Sequence, residues 1–155
     1  MAFYDPLNND QNQEMNILKS ILKTFAHKYP TLRDVEIQIL PKDLKIKHCG
    51  YCDLTPYGDF VVKGKNRFKK IRPTKINVWH NNDLDRLIFT FLHEMSHAIT
   101  DYCERRTTTG LWVVTDHNRQ FYENFFTITN LAYDYKFTKN KFKDVETLKK
   151  RNSQY

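Results

Sequence analysis

The sequence predicts a single α+β domain, and three features of its hydrophobic pattern support this fold class. Apolar residues recur at three- and four-residue steps between Asn12 and Tyr29, which predicts an N-terminal helix. The stretch from Leu44 to Trp79 contains short β-favouring runs separated by glycine and proline, which indicates a β meander. Two further stretches with helical spacing follow. The predicted order is therefore helix, meander, helix, helix.

The boundaries of the first elements follow from capping and breaking residues. Asp10 can cap the first helix, and Pro30 cannot continue it. Alternating apolar and polar residues from Val35 to Ile39 predict a half-buried strand that closes at Pro41. Within the meander, the β-favouring runs are Ile46 to Cys49, Phe60 to Lys63 and Lys75 to Trp79.

The second half of the chain predicts two amphipathic helices and a tail. Asn82 or Asp83 can cap a helix that we expect to continue to about Glu104. A last helix is expected near Asp116, its proposed N-cap. The apolar face of this helix comprises Phe121, Phe125, Ile128, Ala132 and Tyr135. We therefore expect one folded domain over residues 1–137 and a frayed basic C-terminal tail over residues 138–155.

Composition narrows the class of protein. The 155 residues are 40% hydrophobic and 28% charged, which suffices for a core and argues against disorder. No apolar run could span a bilayer, and the N-terminus lacks the pattern of a secretory signal. Three cysteines cannot all pair, so we expect free thiols and an intracellular protein, cytoplasmic or nuclear. The abundance of Lys, Asn, Tyr and Phe is typical of an AT-rich genome such as a viral one.

Positive charge is concentrated in one segment. The net charge is +7, and the segment from Lys63 to Lys75 contains seven basic residues and no acidic one. Such a cluster can contact phosphates, so DNA is a candidate partner; the alternative is a solvated loop, or a basic surface that prefers acidic substrates. The seven residues are Lys63, Lys65, Arg67, Lys69, Lys70, Arg72 and Lys75.

The segment with the clearest chemistry is His93-Glu-Met-Ser-His97 in the second predicted helix. Two imidazoles four residues apart stand one helical turn from each other, so both can reach one Zn²⁺ ion. The carboxylate of Glu94 then lies beside the metal and can take a proton from water. The alternative is a helix whose two His and one Glu are merely solvated.

A zinc site of this type needs a third protein ligand, and three residues could supply it. His117 lies at the expected start of the last helix, from which a side chain can face the motif helix. Glu123 lies inside that last helix. Glu104 is one further turn along the polar stripe of the motif helix, which would place it far from a metal held by His93 and His97.

These residues resemble a known family. His93-Glu-Met-Ser-His97-Ala, followed by His117-Asn-Arg-Gln-Phe121, resembles the SprT-like (Spartan) and WLM-type zinc metallopeptidases. The resemblance covers roughly Leu44 to Tyr135. It implies a compact zincin-like (gluzincin-like) fold with His117 as third ligand, peptide-bond hydrolysis and, often, action on proteins attached to DNA. The chain departs from the family in having Asn-Arg-Gln after His117 instead of Gly-Pro-Glu, and no zinc-ribbon extension follows.

Two other zinc-peptidase patterns fit less well. The segment from His93 to Tyr102 is also similar to the active-site helix of thermolysin-type enzymes, but His117 stands where those enzymes have a glutamate. The metzincin pattern is absent, because Thr100 and Cys103 occupy its glycine and third-histidine positions.

Several further residues are candidates for lesser roles. A second zinc site could combine Cys49 and Cys52 with His48 or Cys103, although a strand and turn is the simpler interpretation. Asp101 could orient His97 or lie in solvent. The tyrosines that could stabilise an oxyanion or simply pack are Tyr122, Tyr133 and Tyr135.

Together these observations predict a zinc-dependent metalloprotease with one Zn²⁺ held by His93, His97 and His117, and Glu94 as the catalytic base. The substrate would be a protein, DNA-associated or DNA-crosslinked, whose backbone pairs with the Lys75 to Trp79 strand if that strand forms the sheet edge. The alternatives are an inactive zincin-like binding module and a zinc amidase for small substrates.

Overall fold

A computed structural model describes residues 9–41, 50–56, 61–63, 66–100, 102–106, 112–113 and 117–153. It confirms the α+β class. The helices are α1 (Asn9–Lys28), α2 (Leu84–Ile99), α3 (Arg119–Asp134) and α4 (Val145–Ser153), with a short 3₁₀ turn at Pro30–Leu32. The strands are β1 (Glu36–Leu40), β2 (Gly50–Pro56), β3 (Val61–Lys63), β4 (Asn66–Trp79), β5 (Cys103–Arg106) and β6 (Trp112–Val113).

The long strand β4 is the centre of a mixed six-stranded sheet. Its C-terminal half pairs with β1 in parallel on one side and with β2 in antiparallel on the other. Its N-terminal half pairs with β3 and β5, both antiparallel, and β6 follows β5. The expected strands at Val35 to Ile39 and Phe60 to Lys63 are therefore confirmed to within one residue, whereas Lys75 to Trp79 is only the C-terminal part of the longer strand β4.

The strand β4 corrects two expectations about the meander. Pro73, one of the prolines expected to separate the β-favouring runs, does not end a strand but lies inside β4, where the register shifts between Asp53 and Leu54. A proline is tolerated there because a bulge leaves one backbone position without a ladder hydrogen bond. The segment from Lys75 to Trp79 is not a sheet edge, since both of its sides are paired. It cannot accept a substrate backbone as an added strand.

Helix α2 lies in the middle of the molecule. It packs against the sheet on one side and against α3 on the other, and most of its residues are buried, including Thr90 and Glu94 on the face that the sequence marks as polar. The core is completed by α1, whose Leu18, Ile21 and Phe25 are fully buried. Part of the polar face of α2 is therefore covered by neighbouring elements instead of lying in bulk solvent.

The C-terminal end of α2 differs from the prediction. The helix stops at Ile99 instead of Glu104, because the Thr100 backbone turns extended and its hydroxyl donates to the Ser96 carbonyl. The chain then enters β5, where Cys103 pairs with Lys70. Tyr102 is consequently not on the helix but in the turn that follows it, fully buried.

The starts of α2, α3 and α1 can be compared with their predicted caps. The carboxylate of Asp83 accepts a hydrogen bond from the Arg86 amide, which confirms this cap. Helix α3 begins at Arg119 and is capped by Asn118, whose side chain accepts from the Phe121 amide at 2.8 Å; Asp116 is not its cap. Helix α1 already begins at Asn9, so Asp10 lies within it.

The segment after α3 is folded, which corrects the expectation of a frayed tail. Lys136 has a φ of 65°, and the Phe137 amide donates to the Ala132 carbonyl, so the chain reverses at the end of α3. Helix α4 follows, with Leu148 fully buried against the core. The basic composition of residues 138–155 concealed this single buried position.

Some expectations fall on residues outside the described ranges. These are the run from Ile46 to Cys49, the side chains of residues 63–70, and Asp101. Of the basic cluster, Arg72 is exposed and Lys75 is half-buried, so contact with DNA stays a prediction. Among the helices that the structure describes, none combines the length and apolar character needed to span a bilayer.

Candidate metal centre

Three histidine side chains converge at one point between α2 and α3. His93 and His97 project from successive turns of α2, and His117 comes from the residue before the N-cap of α3. The His117 Nε2 atom lies 3.1 Å from His93 Nε2 and 3.0 Å from His97 Nε2. One ligand atom from each residue lies within 4.8 Å of the others, which is close enough for all three to bind one metal ion.

The spacing of these nitrogens suits a small divalent ion. Zinc–nitrogen bonds of about 2.0–2.1 Å in a tetrahedral site place ligand nitrogens about 3.3 Å apart. The His117 distances of 3.0 and 3.1 Å differ from this by a few tenths of an ångström, which small ring rotations can absorb. The two distances to His117 are therefore close to the spacing that a bound zinc ion requires.

The electrostatics of the site favour the metal-binding form of the histidines. Burial, with a contribution from the neighbouring imidazoles, lowers the pKa of His93 to about 4 and of His97 to about 3. Both rings are therefore neutral near pH 7. A neutral imidazole keeps the lone pair that a metal requires, so the metal does not have to displace a proton from either ring.

Each motif histidine has a second hydrogen bond on the side away from the centre. His93 Nδ1 lies 2.9 Å from Asn152 Oδ1 of α4, and His97 Nδ1 lies 2.8 Å from the Tyr102 hydroxyl oxygen. Such partners fix the orientation of a metal-binding ring, and a partner that can only accept, such as Asn152 Oδ1, also fixes its tautomer. Both imidazoles are therefore held with Nε2 directed at His117.

Aromatic rings form the floor of the site. The fully buried Phe121 stacks on the His97 ring with 4.3 Å between centroids and on the His117 ring with 4.7 Å. Phe125 meets the edge of the His93 ring at 5.2 Å. These contacts restrict ring rotation and exclude water from one side of the centre.

Glu94 lies beside the histidines in a buried position. Its side chain is 7% exposed, and its Oε1 atom lies 4.0 Å from His93 Nε2. Burial raises the pKa of this carboxyl to about 8, so in the metal-free protein it retains its proton near pH 7. A cation at the three nitrogens would favour the carboxylate instead. The group is placed to exchange a proton beside the centre.

Strand β2 reaches this region because of a glycine. A side chain at Gly50 would place a Cβ atom 2.7 Å from the Asn77 carbonyl oxygen and 3.3 Å from Glu94 Cγ. Only glycine permits β2 to lie this close to both β4 and α2.

Cys52 of the same strand is partly buried, and burial raises the pKa of its thiol. The side chain is therefore not a free thiolate ligand.

The two rival third ligands belong to α3 and β5. Glu123 is exposed, and its carboxylate pairs with Arg119 on the same helix at 3.0 Å. Glu104 belongs to β5, opposite Lys69, so it does not continue the polar stripe of the motif helix. Among the described residues, the three histidines form the one group of His, Cys, Asp or Glu spaced to hold a metal.

The tyrosine candidates separate by position. Tyr133 and Tyr135 lie at the C-terminal end of α3, far from His117, and both are largely exposed. Tyr122 is nearer, with its ring centroid 6.0 Å from that of His117 and with Lys149 over its face at 4.5 Å. Of the three, only Tyr122 is close to the centre.

Two residues that support the motif histidines, Tyr102 and Asn152, could not be recognised from the sequence. Tyr102 falls within the stretch expected to be helical up to about Glu104, whereas α2 ends at Ile99. Asn152 belongs to the segment expected to fray. A capping signal, Asp144 three residues before Thr147 and ahead of apolar Val145 and Leu148, could have revealed α4, but no motif marks Asn152 itself.

Comparisons of this chain with protein-family models, with curated proteins and with solved structures found no match.

Proposed function

We propose that this chain is a zinc-dependent metallopeptidase. The observation that carries the proposal is the convergence of His93, His97 and His117 on one point, with the buried Glu94 carboxyl 4.0 Å from one of the nitrogens. A purely structural cluster would have no need of a buried carboxyl beside these three imidazoles, because burying that group is costly. The resemblance of this segment to SprT-like and WLM-type peptidases supports the same proposal.

Zinc is the metal that this donor set favours. Three imidazole nitrogens are a common ligand set of catalytic zinc sites, which keep a fourth position open. When bound, the ion supplies a Lewis acid that lowers the pKa of water and polarises a carbonyl group. His93, His97 and His117 would hold it through their Nε2 atoms.

Glu94 would then move the proton. With a cation beside it, the carboxylate accepts a proton from water as the water attacks the peptide carbonyl carbon, and it delivers that proton to the leaving amine nitrogen. Its burial between α2 and β2 limits access of bulk water. The aromatic floor at Phe121 keeps the ligand rings in place during this exchange.

We further propose a zincin-like arrangement in which β2 receives the substrate. The structure excludes Lys75 to Trp79 as the docking edge, since β1 and β2 pair with both of its sides. Within the described ranges, β2 pairs with β4 alone, and Gly50 places it beside Glu94. A substrate backbone that adds to the outer edge of β2 would lie along the proposed centre.

The decisive experiment combines metal analysis with replacement of the Glu94 carboxylate by an amide. Protein purified without added metal is expected to contain close to one zinc per chain. Glu94→Gln should retain the zinc and the fold, and should lose hydrolysis of an unfolded protein substrate by about 100-fold or more. Glu123→Gln makes the same change at an exposed site and should leave hydrolysis intact.

The other outcomes distinguish the alternatives. Cleavage of short acylated amides without fragmentation of protein substrates would indicate a small-substrate amidase. Zinc binding without hydrolysis of either substrate class would indicate a binding module. Equal hydrolysis by Glu94→Gln and wild type would remove Glu94 from the mechanism.

A further inference from the structure

We infer that Asn152 is a positioning residue for His93, and that the C-terminal helix α4 is therefore part of the metal centre. This inference rests on the proposed metal site and extends it to a residue 59 positions away along the chain. Among the described contacts of the motif helix, this hydrogen bond ties a proposed metal ligand directly to the end of the sequence.

The hydrogen bond selects one form of the imidazole. The Asn152 side-chain oxygen can only accept, so His93 Nδ1, 2.9 Å away, must carry the hydrogen. The proton-free nitrogen is then Nε2, which is the atom 3.1 Å from His117 Nε2. Asn152 therefore holds His93 in the tautomer that can donate a lone pair to a metal at the centre.

The position of Asn152 is built by the fold. The Asn130 side chain accepts a hydrogen bond from the Phe142 amide and donates one to the Phe142 carbonyl. These two hydrogen bonds fix the connection between α3 and α4. The carboxylate of Asp144 then caps α4 through the Thr147 amide at 2.7 Å. These contacts fix where α4 starts and which way it runs.

Two further contacts fix the rotation of α4 about its axis. The Leu148 side chain is fully buried in the core, and one turn later Asn152 reaches His93 from the same face of the helix. Lys149 lies over the ring of Tyr122 at 4.5 Å, beside the base of α3. Packing by Leu148 therefore places the Asn152 amide at the His93 ring, and the hydrogen bond is not a chance contact of a loose terminus.

The experiment measures zinc affinity by competition with a chelator for wild type, Asn152→Ala and Asn152→Asp. Asn152→Ala is expected to lower the affinity by about 10- to 100-fold, because the ring loses the partner that fixes its tautomer. Asn152→Asp retains an acceptor and is expected to bind zinc at least as tightly as wild type. Asn140→Ala, an exposed asparagine in the same region, is the matched control and should not change the affinity.

A second readout separates positioning from mere support of the fold. Nitrogen NMR of the metal-free protein should show the Nδ1–H form of His93 in wild type and in Asn152→Asp, and a mixture of tautomers in Asn152→Ala. Equal zinc affinity in wild type and Asn152→Ala overturns the inference, as does equal loss in Asn152→Ala and Asn152→Asp. A wild type that binds no zinc would overturn the proposed function itself, which is a distinguishable result.

Discussion

The two histidines of α2 stand one helical turn apart, yet they are supported by different regions of the chain. His97 takes its second hydrogen bond from Tyr102, five residues later, in the turn that leaves the same helix. His93 takes its own from Asn152, on a separate helix at the other end of the domain. The first support comes from the turn that joins α2 to the central sheet, and the second exists only after α4 has docked.

This difference has a consequence for how the centre assembles. The turn that carries Tyr102 is held between α2 and the central sheet, since the Tyr102 amide donates to the Thr100 carbonyl and its carbonyl accepts from the Ile71 amide of β4. Helix α4 has nine residues and a single fully buried side chain, Leu148. A short helix with so little burial gains its stability from docking. The His93 side of the centre is therefore the one that can be lost separately.

The largest effect is expected from removal of His117, the residue that lies next to both motif histidines. His117→Ala deletes the nitrogen that lies 3.0–3.1 Å from both motif histidines, so zinc should fall from close to one per chain to near zero. Two ligands on one helix cannot complete the set of three protein ligands that catalytic zinc sites use. Zinc content after dialysis against a weak chelator measures this.

The control for this change is the rival ligand. Glu123→Ala removes an exposed carboxylate that pairs only with Arg119 among the contacts described, and zinc content should stay at the wild-type level. If zinc is lost in Glu123→Ala and retained in His117→Ala, the assignment of His117 as the third ligand is wrong. His93 and His97 would then not share this ligand.

The next largest effect is expected from a change that weakens the docking of α4 and so the hydrogen bond between Asn152 and His93. Leu148→Ala removes the buried anchor of α4 and should reduce the free energy of unfolding by about 2–5 kcal/mol, if α4 unfolds together with the domain. Zinc affinity should fall with it, because Asn152 leaves His93. Chemical denaturation and chelator competition measure the two quantities on the same protein.

Lys150→Ala is the matched change at an exposed position of α4 and should alter neither quantity by much. A Leu148→Ala protein that is destabilised but binds zinc as tightly as wild type would show that the centre does not depend on α4. In that case zinc binding by His93 would not require the hydrogen bond from the distant Asn152.

The same contrast explains how much of the site was predictable. His93, Glu94 and His97 follow from helix geometry, because a four-residue spacing on a helix fixes their relative positions whatever surrounds them. His117 could be proposed because it precedes a helix start, although Asn118 and not Asp116 proved to be the cap. Each of these inferences needed only local sequence.

The parts that failed depend on contacts between distant segments. The end of α2 at Ile99 carries no glycine or proline signal, and it is fixed by pairing of β5 with β4. Strand β4 runs through Pro73 because the bulge opposite Asp53 accommodates it. The burial of Leu148 in a strongly basic segment is a tertiary effect that composition cannot reveal.

The smallest expected effect tests the His97 side. Tyr102→Phe removes one hydroxyl from a fully buried ring and leaves the packing of that ring in place. His97 Nδ1 then lacks its partner at 2.8 Å, and zinc affinity should fall by about 10-fold. Because the ring stays in its place, the stability of the metal-free protein should change by only about 1 kcal/mol, the net value of one hydrogen bond.

Tyr133→Phe removes a hydroxyl from an exposed tyrosine of α3 and serves as the control, with no expected change in zinc affinity. The informative quantity is the comparison with Leu148→Ala. Tyr102→Phe should weaken zinc binding with little loss of stability, because its support is a single local bond, whereas Leu148→Ala should weaken both together. If Tyr102→Phe instead destabilises the metal-free fold strongly and leaves zinc affinity unchanged, the hydroxyl serves the core. His93 would then be the one motif histidine whose orientation depends on a second hydrogen bond, the bond to Asn152 of α4.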